Sequence, residues 1–333
     1  MVVGSPIPNQ TLPPLFQSNQ KDPVFKGELS ELQGQCPNTP KLALEVFETP
    51  NTQPGSWGAL AAWLSWIVYR STFDETLASL KRFDFEDVVL LDFAQDGLYG
   101  FVARGKKANV ISFRGSTTTL DWVNNFNFTT APADKIGLNG WMHSGFGRIL
   151  SSNFSKVTDA MQKLQLDPAK PLMVTGHSLG GAIATLVASK LKREGRWNPF
   201  LMTFGQPRVG DHSLTPQISE LLNSGYYRFF RSDDPVSRVP PPPDAASAFE
   251  GQLFLTPFLI RAMHYAHAGI PMEIKPTGEV ARVEPWQESL DQAFWSKVQP
   301  SDLRQLGQFL NASNFAGHNI LNYVCGLLSL ASK

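Results

Sequence analysis

The sequence predicts an α/β fold, a mostly parallel central sheet with helices on both faces. Three observations lead there. Short apolar runs of strand length alternate with helical stretches through most of the chain, as a parallel sheet requires when each crossover carries a helix. The run Leu172-Met173-Val174-Thr175 passes through Gly176-His177-Ser178-Leu179-Gly180-Gly181 into residues 182–191, a stretch apolar on almost every side and therefore a buried helix. Before it, residues 145–164 place Ile149, Leu150, Phe154, Val157, Met161 and Leu164 at helical spacing, the pattern of a helix lying on one face of a sheet.

From the N-terminus, residues 1 to about 55 are rich in Pro, Gln and Asn without sustained periodicity, and read as an extended arm ending at Pro54-Gly55. Residues 56–333 read as one domain. The stretch 57–70, WGALAAWLSWIVYR, is apolar on nearly every face and predicts a buried helix. A second short helix is expected over 73–82, with Ser71 or Thr72 as its cap. Strands follow at 88–93, 98–103 and 109–113, the last two joined by a polar loop whose Gly105 signals a hairpin. Beyond Arg114-Gly115-Ser116, Thr118 or Thr119 caps a short helix that gathers Leu120, Trp122, Val123 and Phe126 near one face. After residue 199 come a strand at 200–204, a helix near 214–224 and a strand at 226–231. Residues 240–243 are polyproline-like. Strands are expected within 249–265, 270–274 and 279–283, and 289–333 reads as helical with a break near 311–317.

Composition narrows the function. Lys plus Arg and Asp plus Glu number 29 each, so no basic field is available for nucleic acid, and no Lys/Arg cluster suggests a polybasic membrane anchor. Charged residues are 17%, below the usual quarter, while Phe at 23 and Trp at 8 make the chain aromatic-rich, which suits an apolar substrate. No apolar run reaches the roughly 18 residues of a membrane span. The first residues lack a charged and then apolar leader pattern, so the expected location is cytoplasmic; a mature or engineered N-terminus of a secreted protein would read alike. The two cysteines, Cys36 and Cys325, form no Cys-x-x-Cys pair, and no His-Glu-x-x-His is present. Neither a metal nor a cofactor is expected.

A strand, a Gly-x-Ser-x-Gly turn and a buried helix form the setting in which a serine hydroxyl becomes a nucleophile. The turn is sharp, and a Cβ at Gly176 or Gly180 would collide with the neighbouring helix or strand. A serine hydroxyl is a poor nucleophile near neutral pH and needs a base, which needs a third group to orient it. The acid belongs in a loop after a strand downstream of Ser178; Asp233 and Asp234 are the carboxylates so placed, Asp211 lying in a glycine loop of structural appearance. Among the histidines, His264, His267 and His318 follow those aspartates. His264 and His267 sit in a strand-like apolar segment and read as core residues, leaving His318, in a loop that opens a helix, as the base. The oxyanion of a tetrahedral intermediate needs backbone N–H donors; Leu179, after the serine, supplies one, and the loop at Ser116 the other.

The blocks FRGS, HSGF, GHSLGG, TFGQPRVGD and DDPVSRVPP, in this order over residues 113–241, resemble the fungal-type (class 3) triacylglycerol lipase family, of α/β-hydrolase fold. Weaker likeness runs from about 57 to 325. The resemblance implies a catalytic set of Ser178, Asp234 rather than Asp233, and His318, the last followed by Tyr323. It implies Ser116 and Leu179 as the oxyanion hole, His143 and His267 as structural, and residues around 117–127, with Thr117, Leu120, Trp122, Val123 and Phe126, as a lid opening at a lipid–water interface. The implied substrate is an acylglycerol or another carboxylic ester, met by peripheral contact with lipid. Three features depart from the family pattern. The apolar stretch 243–265 is long; Gly317 stands where members often carry an acidic residue; and with two cysteines one disulfide is the limit. An end-to-end Cys36–Cys325 bridge, as in relatives, and two unpaired buried thiols are both compatible with the sequence.

Alternatives to a triacylglycerol lipase are a phospholipase A1, a short-chain carboxylesterase, an acyltransferase using an alcohol in place of water and, from another class, a non-catalytic lipase-like module that binds lipid or a partner.

Overall fold

The run Leu172–His177 forms a strand, β6, buried along its whole length. Its side chains alternate between two apolar layers: Leu172 and Val174 enter one cluster and Met173 the other, as the two-residue period of a strand between helical layers requires. The rest of the fold repeats this arrangement on either side of β6. The computed structural model describes residues 36, 54–69, 73–81, 85–93, 98–106, 108–116, 129–223, 225–240, 265–275, 277–283 and 315–331.

Helix α1 (Pro54–Ile67) and the short α2 (Phe73–Lys81) lead into β1 (Phe85–Phe93), β2 (Leu98–Gly105) and β3 (Asn109–Phe113). These strands form an antiparallel meander. Next come β4 (Thr130–Pro132), β5 (Trp141–His143) and α3 (Ser144–Lys163), then β6, α4 (Leu179–Arg193) and β7 (Pro199–Phe204). After β8 (Gly210–Asp211), α5 (Thr215–Leu221) leads to β9 (Tyr226–Phe230). The last strands are β10 (Tyr265–Ala266), β11 (Ile270–Ile274) and β12 (Val280–Arg282). A 3₁₀ turn, Phe315–His318, opens onto α6 (Ile320–Ala331).

Eight strands lie in the order β1-β2-β3-β6-β7-β9-β11-β12. The pairs from β3 through β11 are parallel, and both margins are antiparallel. This is the mostly parallel sheet expected. One face is covered by α3 and α4, whose Ile149, Leu150, Ile183 and Leu186 pack with Val174 and Leu201. The other is covered by α1 and α6, whose Trp63, Leu64, Ile67, Tyr323 and Leu327 pack with Met173, Met202 and Phe229. Helix α1 is apolar all round because it is closed in on two sides, by the sheet and by α6. Its main chain is also bonded to the sheet, Ser112 Oγ donating to the Leu64 carbonyl at 3.1 Å.

A smaller antiparallel sheet, β10-β8-β5-β4, was not expected. Its strands are two or three residues long, too short to show an alternating pattern. Of the anticipated strand within 249–265, the described part is β10 at its end; residues 241–264 lie outside the described set, as do His264 and the polyproline run beyond Pro240. Most of the arm lies outside it too, but Cys36 is described, buried, and joined to Cys325 of α6 in a disulfide with Cα atoms 5.4 Å apart. The bridged alternative therefore holds over the two free thiols.

Candidate active site

The C-terminal ends of β3, β6, β7 and β9 converge at one edge of the sheet, where parallel α/β sheets carry their ligands. Ser178 occupies the one-residue turn between β6 and α4, with φ 58° and ψ −130°. That is a conformation L-residues rarely adopt, and it persists where the surroundings over-determine it. The glycines provide them. A Cβ on Gly176 would lie 2.8 Å from the Gly181 nitrogen, and one on Gly180 would lie 2.7 Å from the Arg114 carbonyl oxygen. Strand β6, helix α4 and the end of β3 therefore approach too closely for any side chain there. The Ser178 Oγ is buried and has no hydrogen-bond partner among the described residues.

Asp234 lies in the loop after β9 and is fully buried. Its Oδ1 accepts the Val236 N–H at 2.8 Å, and its Oδ2 accepts from His318 Nδ1 at 2.8 Å and from the Tyr323 hydroxyl at 2.5 Å. Burial alone would raise this carboxyl, but the electrostatic pull of the adjoining His318 and these three donors overcome it and hold the group below its usual range. Asp233 turns away and pairs with Arg231 through two hydrogen bonds, of 2.8 and 2.7 Å. Gly205, at φ 54°, makes room for the pair: a Cβ there would be 2.6 Å from Asp234 Oδ2 and 3.1 Å from His318 Nδ1. Gly317, where the family often has an acidic residue, is packed so tightly on the Asp233 backbone that a side chain would overlap it. The departure in sequence thus has a steric cause.

The His318 ring stacks obliquely on that of His177, next to Ser178, with centroids 4.5 Å apart. The segment bearing Ser116 lies against the same serine, since a Cβ on Gly115 would be 2.8 Å from Ser178 Cβ. Leu179 is the first residue of α4, so its N–H is among those a helix start leaves without an intrahelical partner. Ser178, His318, Asp234, Leu179 and Ser116 are thus gathered at one sheet edge. Thr117, Leu120, Trp122, Val123 and Phe126 lie outside the described residues.

The remaining histidines near the site have structural partners. His143 Nδ1 accepts the Gly145 and Phe146 N–H groups at the start of α3, at 3.1 and 3.4 Å. His267 Nε2 donates to the Ser237 carbonyl at 2.8 Å; burial, with Arg228 and Arg208 nearby, keeps its ring well below the ordinary histidine range and so neutral. Asp211 accepts from Trp141 N, Leu214 N and the Ser213 hydroxyl, and so closes its own turn.

Residues 110–243 match the family model described as Lipase (class 3). This stretch, less than half of the chain, is similar to class 3 lipases. A secreted mono- and diacylglycerol lipase of Fusarium solani is 35% identical over 147 residues, 44% of this chain and 43% of that protein. A chloroplastic phospholipase A(1) of Arabidopsis thaliana is 35% identical over 154 residues, 41% of this chain and 34% of that one. The chain thus spans less than half the length of these two curated relatives. The solved structure of the Rhizomucor miehei triacylglyceride lipase superposes with a TM-score of 0.53 at 21% identity, covering 90% of this chain and 98% of that one. This likeness establishes the shared α/β-hydrolase fold.

Sequence reasoning missed two residues of this site. Tyr69, just past α1, bonds both His177 and the Gly115 N–H. His177 precedes the aspartates, so the chain order of a triad gives it no part. The nearest signal for it was its place inside the glycine motif; nothing local marks Tyr69.

Proposed function

We propose that this chain hydrolyses carboxylic esters of acylglycerols through a Ser178–His318–Asp234 triad. The reading is carried by the buried His318–Asp234 pair, 2.8 Å apart, beside a serine on a strained strand-to-helix turn. The Ser178 oxygen attacks the ester carbonyl while His318 Nε2 takes its proton, and Asp234 holds the ring through Nδ1 and offsets the imidazolium charge. The N–H groups of Leu179 and Ser116 receive the oxyanion, each such donor being worth roughly 3 kcal/mol of barrier. Collapse expels the alcohol with the proton from His318. Water then enters and adds to the acyl carbon while His318 takes its proton; collapse releases the fatty acid as Ser178 Oγ takes that proton back from His318. Catalytic hydrogen bonds are often long or unmade before substrate binds, which accords with the Ser178 hydroxyl having no partner here.

Acylglycerols are favoured as substrates by the secreted mono- and diacylglycerol lipase relative. Phospholipase A1 activity is the second reading, favoured by the chloroplastic relative of that name at the same identity. No helix among the described residues is long and apolar enough to cross a membrane. The Cys36–Cys325 disulfide argues for an oxidising compartment rather than the cytoplasm.

Ser178→Ala tests the chemistry: ester hydrolysis is lost while the protein stays folded, and near wild-type rates on p-nitrophenyl esters would refute the assignment. Rates on a diacylglycerol, phosphatidylcholine and p-nitrophenyl butyrate separate the substrate readings.

A further inference from the structure

We propose that His177 is a positioning residue for ester cleavage: with Tyr69 it ties the backbone after β3 to the backbone of His318, holding the oxyanion side and the base side of the site at a fixed separation. This rests on the reading of Ser178, His318 and Asp234 given above.

Four groups form an unbroken line. The Gly115 N–H donates to the Tyr69 hydroxyl oxygen at 3.0 Å. That hydroxyl lies 2.9 Å from His177 Nδ1, and His177 Nε2 lies 2.8 Å from the His318 carbonyl oxygen. The ends fix the direction of every bond between them. A carbonyl can only accept, so Nε2 carries the hydrogen. A neutral imidazole has one N–H, so Nδ1 is bare and accepts the Tyr69 proton. The ring is neutral, because burial first, and then the nearby His318, push its pKa down to about 3. Tyr69 is held protonated, burial raising it further above its ordinary value. A backbone donor at one end and a backbone acceptor at the other thus leave a single arrangement of protons.

The line passes around the serine. Gly115 directly precedes Ser116 and touches Ser178 closely enough to exclude a side chain. His177 directly precedes Ser178, and His318 is 141 residues further on. His318 is therefore held twice, its ring by Asp234 and its main chain by His177. Without the second hold, the His318 main chain loses a bond that sets its distance from Ser178 and the oxyanion donors. A displacement of about 1 Å at such a site lowers rates by up to ~100-fold. An imidazole is also a costly way merely to fill this space, since both nitrogens need partners once buried, and an aliphatic side chain has no such need.

Three single variants of the full chain test the inference. His177→Asn retains an oxygen near Nδ1 to accept from Tyr69 but loses the donor to His318. His177→Gln retains an N–H near Nε2 and loses the acceptor. Tyr69→Phe breaks the line at its middle. Sites are counted by stoichiometric phosphonate labelling of Ser178, so that misfolded protein drops out. The expected result is a kcat per labelled site roughly 10- to 100-fold lower in His177→Asn, with KM nearly unchanged. His177→Gln should recover most of that loss, and Tyr69→Phe should fall between. A wild-type kcat per site in His177→Asn would overturn the proposal, as would equal losses in the Asn and Gln variants. Nitrogen NMR of labelled histidine gives a readout independent of turnover. At neutral pH His177 should carry its proton on Nε2, and the His318 signals should move in the Asn variant but not in the Gln variant. A proton on Nδ1, or His318 signals unmoved by His177→Asn, would overturn the tether. Should the wild type cleave no ester, the assigned activity falls while the spectra still decide the tether.

Discussion

The Tyr323 hydroxyl lies 2.5 Å from Asp234 Oδ2, the oxygen that also receives His318 Nδ1. Burial first, and then the facing Asp234 carboxylate, raise the phenol well above its ordinary range, so it remains a donor. Tyr323→Phe takes one of three donors from a buried carboxylate. Hydrogen bonds to charged groups contribute about 1.5–3 kcal/mol, and a loss of that size is expected in urea unfolding. On the proposed triad the variant should also lower kcat without raising KM, because Asp234 there orients the base and does not meet substrate. Unchanged stability and unchanged kcat would show that the hydroxyl adds nothing to the pair.

Two glycines set the room available to that pair. Gly205→Ala would press a methyl into Asp234 Oδ2, and Gly317→Ala would press one into the Asp233 backbone. Overpacking of this kind costs about 1–3 kcal/mol. Gly205 adds the strain of a side chain at φ 54°. Both variants should melt at lower temperature, and Gly205→Ala should lose more activity than the stability change alone explains, since it displaces Asp234 and His318 directly. Restoring an acidic residue with Gly317→Asp should therefore harm this chain, although relatives of the family often carry one there.

Acid should destabilise the fold in two steps. His177 has a pKa near 3 in the folded chain against an ordinary 6.5. Between those values the unfolded chain binds a proton that the folded chain refuses, so stability falls as pH falls across that window, by up to about 1.4 kcal/mol per pH unit. His267, likewise held neutral by burial and its neighbouring arginines, adds in the same direction. Asp234 has the opposite chemistry and the same sign. Its folded pKa lies below the ordinary 3.8, so its contribution is intact above that pH and is lost beneath it. Urea unfolding at successive pH values should therefore show a decline beginning near pH 6.5, shallower in His177→Gln, and a second decline below pH 3.8 that this variant retains. Equal slopes for wild type and variant in the upper window would contradict the assignment.

The strain at Ser178 is measurable by removing it. Its φ 58° and ψ −130° mirror an extended conformation, which glycine enters freely and alanine does not. Ser178→Gly should unfold at higher temperature than Ser178→Ala, by the equivalent of about 1–3 kcal/mol, with both variants inactive toward esters. Equal melting temperatures would mean that the turn carries no strain.

What the sequence made legible follows from how far apart the cooperating residues are. Gly176, Ser178 and Gly180 express a steric demand within five positions, so the turn is written locally. The order of Ser178, Asp234 and His318 could be argued because each stands in a loop after a recognisable strand or before a helix. Tyr69 and His177 meet across 108 positions, and the Tyr69 hydroxyl reaches the Gly115 N–H across 46. A tyrosine at the end of an apolar helix looks like any other aromatic in such a helix. The small sheet escaped notice because Gly210 and Asp211 read as loop residues, and only pairing with Tyr265 and Ala266 makes them a strand.

The bond between Cys36 and Cys325 joins positions 289 residues apart. Together with the backbone it makes a ring of most of the chain, and Ser178, Asp234 and His318 all stand on that ring. A protease that cuts once anywhere between the two cysteines opens the circle without parting the molecule, so Ser178 and His318 stay covalently joined. Such a nicked molecule should run as one band without reductant and as two with it, and can keep its activity until the sulfurs are separated.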